Sequence, residues 1–370
     1  MTVSANQLCR NPLTGQWVIY APQRSRRPGR SGRTDTVSAA VQPEKDAECP
    51  FCPGNENALT EIITELQAPR QGGWLTRVVF NKYPAVSADD GHRVEREAFY
   101  QTRAAWGRHE VIIEGPLHNR DLPRLPAGHL EAVVETYRRR FRWIWEHAED
   151  IQTILIFRNH GPASGTSLPH PHSQLIALPV VPTYMANTAQ LAASYFSENS
   201  RCLLCDIVDY EAGTDRRCVY ENDGFLCFIP YAAQVPFEVW AVPKAHHADF
   251  GAIDERQKAD LADVLKNVLS ALYDRLEDPD YNYMIHSASR QDRSSPVLHW
   301  YLQIRPRIVT PAGFEIGSGM HINPMLPEAN ADMHRGAWNK TIAQGLRGTP
   351  VLLVGYGRIG RKTAEMLPAF

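Results

Sequence analysis

One order of residues occurs twice along this chain, and a chain built that way must fold as two related units. Cys49-Pro-Phe-Cys52 is followed by strand-like Arg77–Asn81 and His109–Glu114, then His118, a helical stretch, strand-like Ile151–Phe157 and the segment His170-Pro-His-Ser-Gln174. Cys202-Leu-Leu-Cys205 is followed by strand-like Gly224–Ile229 and Phe237–Val242, then His246, a second helical stretch, Tyr281–His286 and the segment His299-Trp-Tyr-Leu-Gln303. Overlaid, Glu110 falls on Glu238, His118 on His246, His170 on His299 and Gln174 on Gln303. Both helices show in the spacing of apolar residues. Residues 128–148 carry Leu130, Val133, Val134, Tyr137, Phe141, Ile144 and Trp145, and residues 254–276 carry Leu261, Val264, Leu265, Val268, Leu269, Leu272 and Leu276. The unit is strand–strand–helix–strand–strand, an α+β fold of antiparallel sheets with a helix packed on each.

Chemistry concentrates where the repeat is most polar. Read with a period of two, His170, His172 and Gln174 share one face of a strand that Pro169 and Pro171 hold extended. Each unit offers two thiols and two imidazoles, Cys49, Cys52, His118 and His170 in the first and Cys202, Cys205, His246 and His299 in the second. Closed sets of this kind suit tetrahedral zinc in a structural role, so two zinc sites are expected. His247 is the other candidate for the place of His246. If His170 is spent on metal, His172 is left free, and the second unit has Tyr301 in its place. One catalytic half and one supporting half are therefore expected. A neutral imidazole can attack phosphorus and hold it as a phosphoramidate. Gln174 can donate a hydrogen bond to a non-bridging oxygen as charge develops, and Ser167 can donate another.

Composition narrows the partners. A net charge of -2 supplies no field for general nucleic-acid binding, and the single basic run, Arg24 to Arg33, suits a solvated or phosphate-contacting loop. Neither an apolar leader nor a stretch long enough to span a bilayer is present, so a cytoplasmic location without membrane association is expected. In that setting paired cysteines point to metal or redox work rather than to disulfides.

With Cys49-Pro-Phe-Cys52, Asn159-His-Gly161 through His170-Pro-His-Ser-Gln174, and Ala312-Gly-Phe-Glu-Ile-Gly-Ser-Gly319, the sequence resembles the galactose-1-phosphate uridylyltransferase family of histidine-triad nucleotidyltransferases. The resemblance runs from Asn11-Pro-Leu-Thr-Gly-Gln-Trp17 to about Arg335. It implies a tandem duplication of a histidine-triad-like unit, with a catalytic half at 1–185 and a second half at 186–335. It implies ping-pong exchange in which His172 takes a nucleotide from a nucleotide sugar and passes it to a hexose 1-phosphate. The implied activity is a UDP-glucose:hexose-1-phosphate uridylyltransferase of galactose metabolism. By the same carry-over, Arg24 and Arg27 contact phosphate or nucleotide, Asn81 the nucleoside, Asn159 and Ser167 the phosphates, and Gln174 the transferred group. A homodimer is implied as well, with Glu315 in a loop that reaches the neighbour's site.

Two alternatives stand beside this reading. The second Cys-x-x-Cys set looks like the branch that includes ADP-glucose phosphorylase, and Tyr301 stands where the best-known branch carries a metal-binding histidine. A zinc-stabilised nucleotide-binding protein without turnover is the non-enzymatic alternative. The tail, 336–370, resembles the start of a D-isomer-specific 2-hydroxyacid dehydrogenase cofactor domain, with Gly355-x-Gly357-x-x-Gly360 after a strand-like run. No acidic residue follows at the spacing a ribose needs before Phe370, so a truncated Rossmann-like remnant without NAD function is expected.

Overall fold

The structure is a computed structural model, and it describes residues 6–26, 42–69, 72–88 and 93–335. Arg27, most of the basic run and the tail 336–370 lie outside the described residues. An N-terminal pair, β1 (Gln7–Arg10) and β2 (Trp17–Tyr20), precedes β3 (Ile62–Gln67), β4 (Trp74–Phe80) and an exposed hairpin of β5 (Val94–Glu97) and β6 (Tyr100–Arg103). Then come β7 (Arg108–Ile113), α1 (Ala127–His147), β8 (Thr153–His160) and β9 (His172–Leu178). Helices α2 (Thr183–Asn199) and α3 (Leu203–Thr214) lead to β10 (Cys218–Glu221), β11 (Phe225–Phe228) and β12 (Val239–Pro243). They are followed by α4 (Glu255–Leu276), β13 (Tyr281–His286) and β14 (Tyr301–Pro306), and the described chain ends with α5 (Gly313–Ser318), β15 (His321–Asn323) and α6 (Pro327–Arg335).

The strands of both repeats join into one ten-stranded antiparallel sheet, ordered β10-β11-β12-β14-β13-β8-β9-β7-β4-β3. The seam between repeats is β8 against β13, with Asn159 opposite Asn282. A separate sheet sets β2 between β1 and β15. Both long helices cover the same face of the large sheet. The apolar stripes of α1 and α4 form one core with Ile112, Ile156, Leu175, Ile285, Leu302 and Ile304. Helix α4 starts at a capping box in which Asp254 accepts from the Gln257 N–H and Gln257 accepts from the Asp254 N–H. Among the described residues no helix is long and apolar enough to cross a membrane.

The opposite face carries the polar residues that the sequence singles out. Registers Phe157↔Gln174, Val111↔Gln174 and Ile113↔His172 put His172, Gln174, His109, Asn159 and Asn282 on that face, away from the helices. The strand begins at His172, so His170 sits in the bend before it rather than within it. His299 likewise precedes β14. One expected equivalence is off by a single residue. Gln174 lies opposite Val111 and Gln303 opposite Trp240, which makes His109, not Glu110, the counterpart of Glu238. A one-residue slip exchanges faces. Glu110 accordingly points to the helix side, buried, where Arg140 of α1 grips it through Nε (2.8 Å) and an Nη (2.7 Å).

Candidate active site and metal clusters

The first thiol–imidazole set converges. Cys52 Sγ lies 3.5 Å from His118 Nδ1 and 3.6 Å from His170 Nδ1, and Cys49 Sγ is 3.7 Å from His170 Nδ1. The four ligand atoms lie within 4.8 Å of one another and all four residues are buried. Sulfur and nitrogen around a tetrahedral zinc would stand about 3.6 Å apart, from bonds of ~2.3 and ~2.1 Å, so the edges fit. The chemistry fits too. His170 Nε2 donates to the Gly115 carbonyl (2.8 Å), which fixes the tautomer that aims Nδ1 at the thiols. Burial drives His170 down to about 4 and Cys49 up to about 11, so the first imidazole is neutral and the thiol awaits a cation to ionise.

The second set matches it. Cys205 Sγ is 3.3 Å from His246 Nδ1 and 3.4 Å from His299 Nδ1, with Cys202 completing a group within 4.8 Å. Here the Cys205 thiol, helped by His299, holds Cys202 down at about 4. Cys202 caps the start of α3, whose first turn brings Cys205 round to the same side. His246, rather than His247, enters the group.

His172 is 7% exposed and tied from behind: its Nδ1 lies 2.8 Å from the His170 carbonyl. A carbonyl only accepts, so Nδ1 carries the proton and the neutral ring keeps its lone pair on Nε2. Burial lowers the His172 pKa and favours that neutral form. The ring edge of Phe51, from the Cys49–Cys52 loop, packs against both His170 and His172, with centroids 5.9 and 5.3 Å apart. The first ligand set thus braces the imidazole next to it.

Gln174 has a defined polarity. His109 Nδ1 accepts from the Ala85 N–H (3.1 Å), so His109 Nε2 is the donor to Gln174 Oε1 (2.8 Å). Asn81 Oδ1 accepts from the Tyr83 N–H (2.8 Å), leaving its Nδ2 to face the same Gln174 oxygen (3.4 Å). With its oxygen spent, Gln174 can offer only its NH2. The second repeat differs. Gln303 donates to Glu238 (2.7 Å) and accepts from His286 Nε2 (2.9 Å), so both ends of its amide are used internally. Tyr301, in the place of His172, stacks on His286.

Behind β9 runs a buried charged chain that the sequence did not reveal. Glu114 accepts from Arg158 Nε (2.9 Å), Tyr137 (3.1 Å) and Ser173, and Arg158 reaches on to Asp121 and to the Tyr281 hydroxyl (2.8 Å). His160 sits between Asp121 (2.9 Å) and Asp278 (2.8 Å). The only signal in the sequence is the pair Arg158 and His160 closing a strand whose alternate residues are apolar.

The remaining expected residues lie outside the strands of the large sheet. Ser167 is exposed in the bend leading to β9, and Arg24 is exposed in a 3-10 turn at Pro22–Arg26. Glu315 accepts the Ala312 N–H at the start of α5, next to exposed Phe314 and Ile316.

The profile of the galactose-1-phosphate uridyl transferase N-terminal domain matches residues 2–182, and that of its C-terminal domain matches residues 188–337. An ADP-glucose phosphorylase of Arabidopsis thaliana is 36% identical over 89% of this chain and 92% of its own. A galactose-1-phosphate uridylyltransferase of Thermotoga maritima is 30% identical over 87% and 95%. The crystal structure of the Arabidopsis ADP-glucose phosphorylase with bound ADP-glucose superposes with a TM-score of 0.76 at 33% identity, covering 90% of this chain and 98% of that one.

Proposed function

Since this chain belongs to the galactose-1-phosphate uridylyltransferase family, we propose that it transfers a nucleoside monophosphate through a covalent bond to His172. His172 Nε2 attacks the phosphorus next to the nucleoside, a P–N bond forms, and the P–O bond to the distal phosphate breaks. The sugar 1-phosphate leaves as a stable anion that needs no proton. A phosphate oxygen of the second sugar phosphate then attacks phosphorus, and the bond to His172 breaks. Nδ1–H donating to the His170 carbonyl steadies the positive charge the ring gains. Gln174 offers its NH2 to the phosphoryl oxygens as they gain charge. The observation that carries this reading is the asymmetry of the repeats. In the first, a lone pair and a free amide donor share one face; in the second, a tyrosine and an amide bonded at both its oxygen and its nitrogen replace them.

Donors are UDP-glucose and the acceptor galactose 1-phosphate in this reading, consistent with the many uridylyltransferase relatives. Labour divides between a catalytic half at 1–185 and a supporting half at 186–335. Cys49, Cys52, His118 and His170 hold one zinc, and Cys202, Cys205, His246 and His299 hold another. When bound, these ions supply cross-links between loops and strands and no step of the transfer. Arg24, Arg27, Asn159 and Ser167 contact phosphates and Asn81 the nucleoside side of the donor. The enzyme works as a cytoplasmic homodimer, with exposed Phe314 and Ile316 beside Glu315 suited to meeting a second copy.

ADP-glucose as donor is the second reading, favoured by the 36% identity to the plant phosphorylase. Intact mass after incubation with each nucleotide sugar tests both. A UMP-sized adduct on wild type and none on His172→Ala is expected. An AMP-sized adduct moves the assignment to an adenylyl transfer, and the absence of any adduct refutes the covalent mechanism.

A further inference from the structure

The stretch Asn159–Gly165 links β8 to the bend before His172, and several of the contacts that hold it come from the other repeat. Asn282 of β13 donates through Nδ2 to Asn159 Oδ1 (2.8 Å) and to the Ser164 carbonyl (2.9 Å). The Asp280 carboxylate receives the Ala163 N–H, Arg307 Nε reaches the Ala163 carbonyl (3.3 Å), and Asp278 holds His160. The fit at the turn is close. Gly161 has φ +81°, and a Cβ there would run into the Asp280 carboxylate.

The polarity of these contacts matters more than their number. A main-chain carbonyl only accepts, so the Asn282 atom shared between Ser164 and Asn159 must be its NH2. Asn159 therefore presents its oxygen to Asn282 and keeps its own NH2 as the end available to a ligand. One register step beyond Arg158↔Ser173, Asn159 stands opposite His172 on the same sheet face. Gln174, on the same face, also has its oxygen tied and its NH2 free. Both amides beside the imidazole are thus set as donors, as a tetrahedral anion requires.

We propose that Asn282 is a positioning residue for the transfer: from the second repeat, it fixes the Asn159 amide so that a donor, not an acceptor, faces the phosphoryl group at His172. This rests on the transfer reading above. A non-catalytic repeat then has a chemical duty beyond buttressing the sheet, because its strand sets the polarity of a group in the neighbouring site. Asn282→Asp inverts the arrangement. A carboxylate there draws the Asn159 NH2 to itself and turns the Asn159 oxygen toward the phosphoryl oxygens.

The test is single-turnover labelling of the full chain by UDP-glucose and by ADP-glucose, read by quenched flow and intact mass. With whichever donor labels wild type, Asn282→Asp should label about 100-fold more slowly, the scale of losing one preorganised donor. Its KM for the donor and its metal content should match wild type, while loss of the donor to the Ser164 carbonyl lowers its melting temperature. A double-mutant cycle separates positioning from packing: in an Asn159→Ala background, Asn282→Asp should cost nothing more. Asn282→Ala, which removes the donor without adding charge, should show the same non-additivity with a smaller loss, and it serves if the aspartate variant does not fold. Wild-type labelling by Asn282→Asp, or losses that multiply in the double mutant, would overturn the proposal. If wild type takes no label from either donor, the transfer reading itself fails and this inference falls with it.

Discussion

His160 offers a charge that can be removed and whose effect can be worked out in advance. Both its ring nitrogens face carboxylates, Asp121 at 2.9 Å and Asp278 at 2.8 Å, with the Arg158 guanidinium also on Asp121 and the Tyr281 ring stacked 4.8 Å away. Burial alone would lower its pKa. The Asp121 charge outweighs that and raises it from 6.5 to about 9. A folded-state pKa above the unfolded one stabilises the fold fully below pH 6.5, and the gain disappears as pH rises through 9. At ~1.36 kcal/mol per unit, a rise of about 2.5 units corresponds to roughly 3 kcal/mol between pH 6 and pH 9. His160→Gln keeps one hydrogen bond and removes the charge, so it should lose this pH dependence. The assay is urea unfolding of both proteins at pH 6, 7, 8 and 9. Titration of other groups, including metal ligands, is common to both and cancels in the difference. Wild type should exceed the variant by most at pH 6, and the gap should shrink by about 3 kcal/mol at pH 9. A constant gap, or one that widens with pH, would refute the assignment of an imidazolium here.

Other predictions follow from the same geometry. Because burial lowers the His172 pKa, the single-turnover rate should reach its half-maximal point below pH 6.5; a half-maximal point above 6.5 would contradict a pre-formed neutral nucleophile. His172→Gln should lose the adduct and at least about 10⁴-fold in rate, measured by exchange of radiolabelled sugar phosphate. Cys52→Ala should bring metal content from two ions per chain to one by elemental analysis and lower the melting temperature, whereas His247→Ala should leave both ions in place. His109→Phe frees the Gln174 oxygen and should slow labelling about tenfold, the scale of one buried hydrogen bond, without loss of metal.

Short-range and long-range interactions contributed differently to what this chain's sequence determined. Residue type and spacing along the chain were enough for α1 and α4, whose apolar stripes repeat at helical period, and for strands such as Tyr281–His286. They were also enough to pair each Cys-x-x-Cys with two histidines, because few side chains ligate a soft cation and those that do came twice in one order. The contrast of His172 with Tyr301 set the two repeats apart by the same logic.

What a residue faces, however, is set by its partner strand. Glu110 and His109 are neighbours in sequence, yet one is clamped by Arg140 on the helix side and the other holds Gln174 on the site side. Choosing between them takes the register of β7 against β9, to which a strand's own alternation is blind. The merging of two expected sheets into one, and the seam that puts Asn282 beside Asn159, rest on pairing across more than a hundred residues. So does the polarity of each amide in the site. Asparagine and glutamine carry a donor and an acceptor at nearly the same place, and only the partner brought up by the tertiary fold decides which end is left for the substrate.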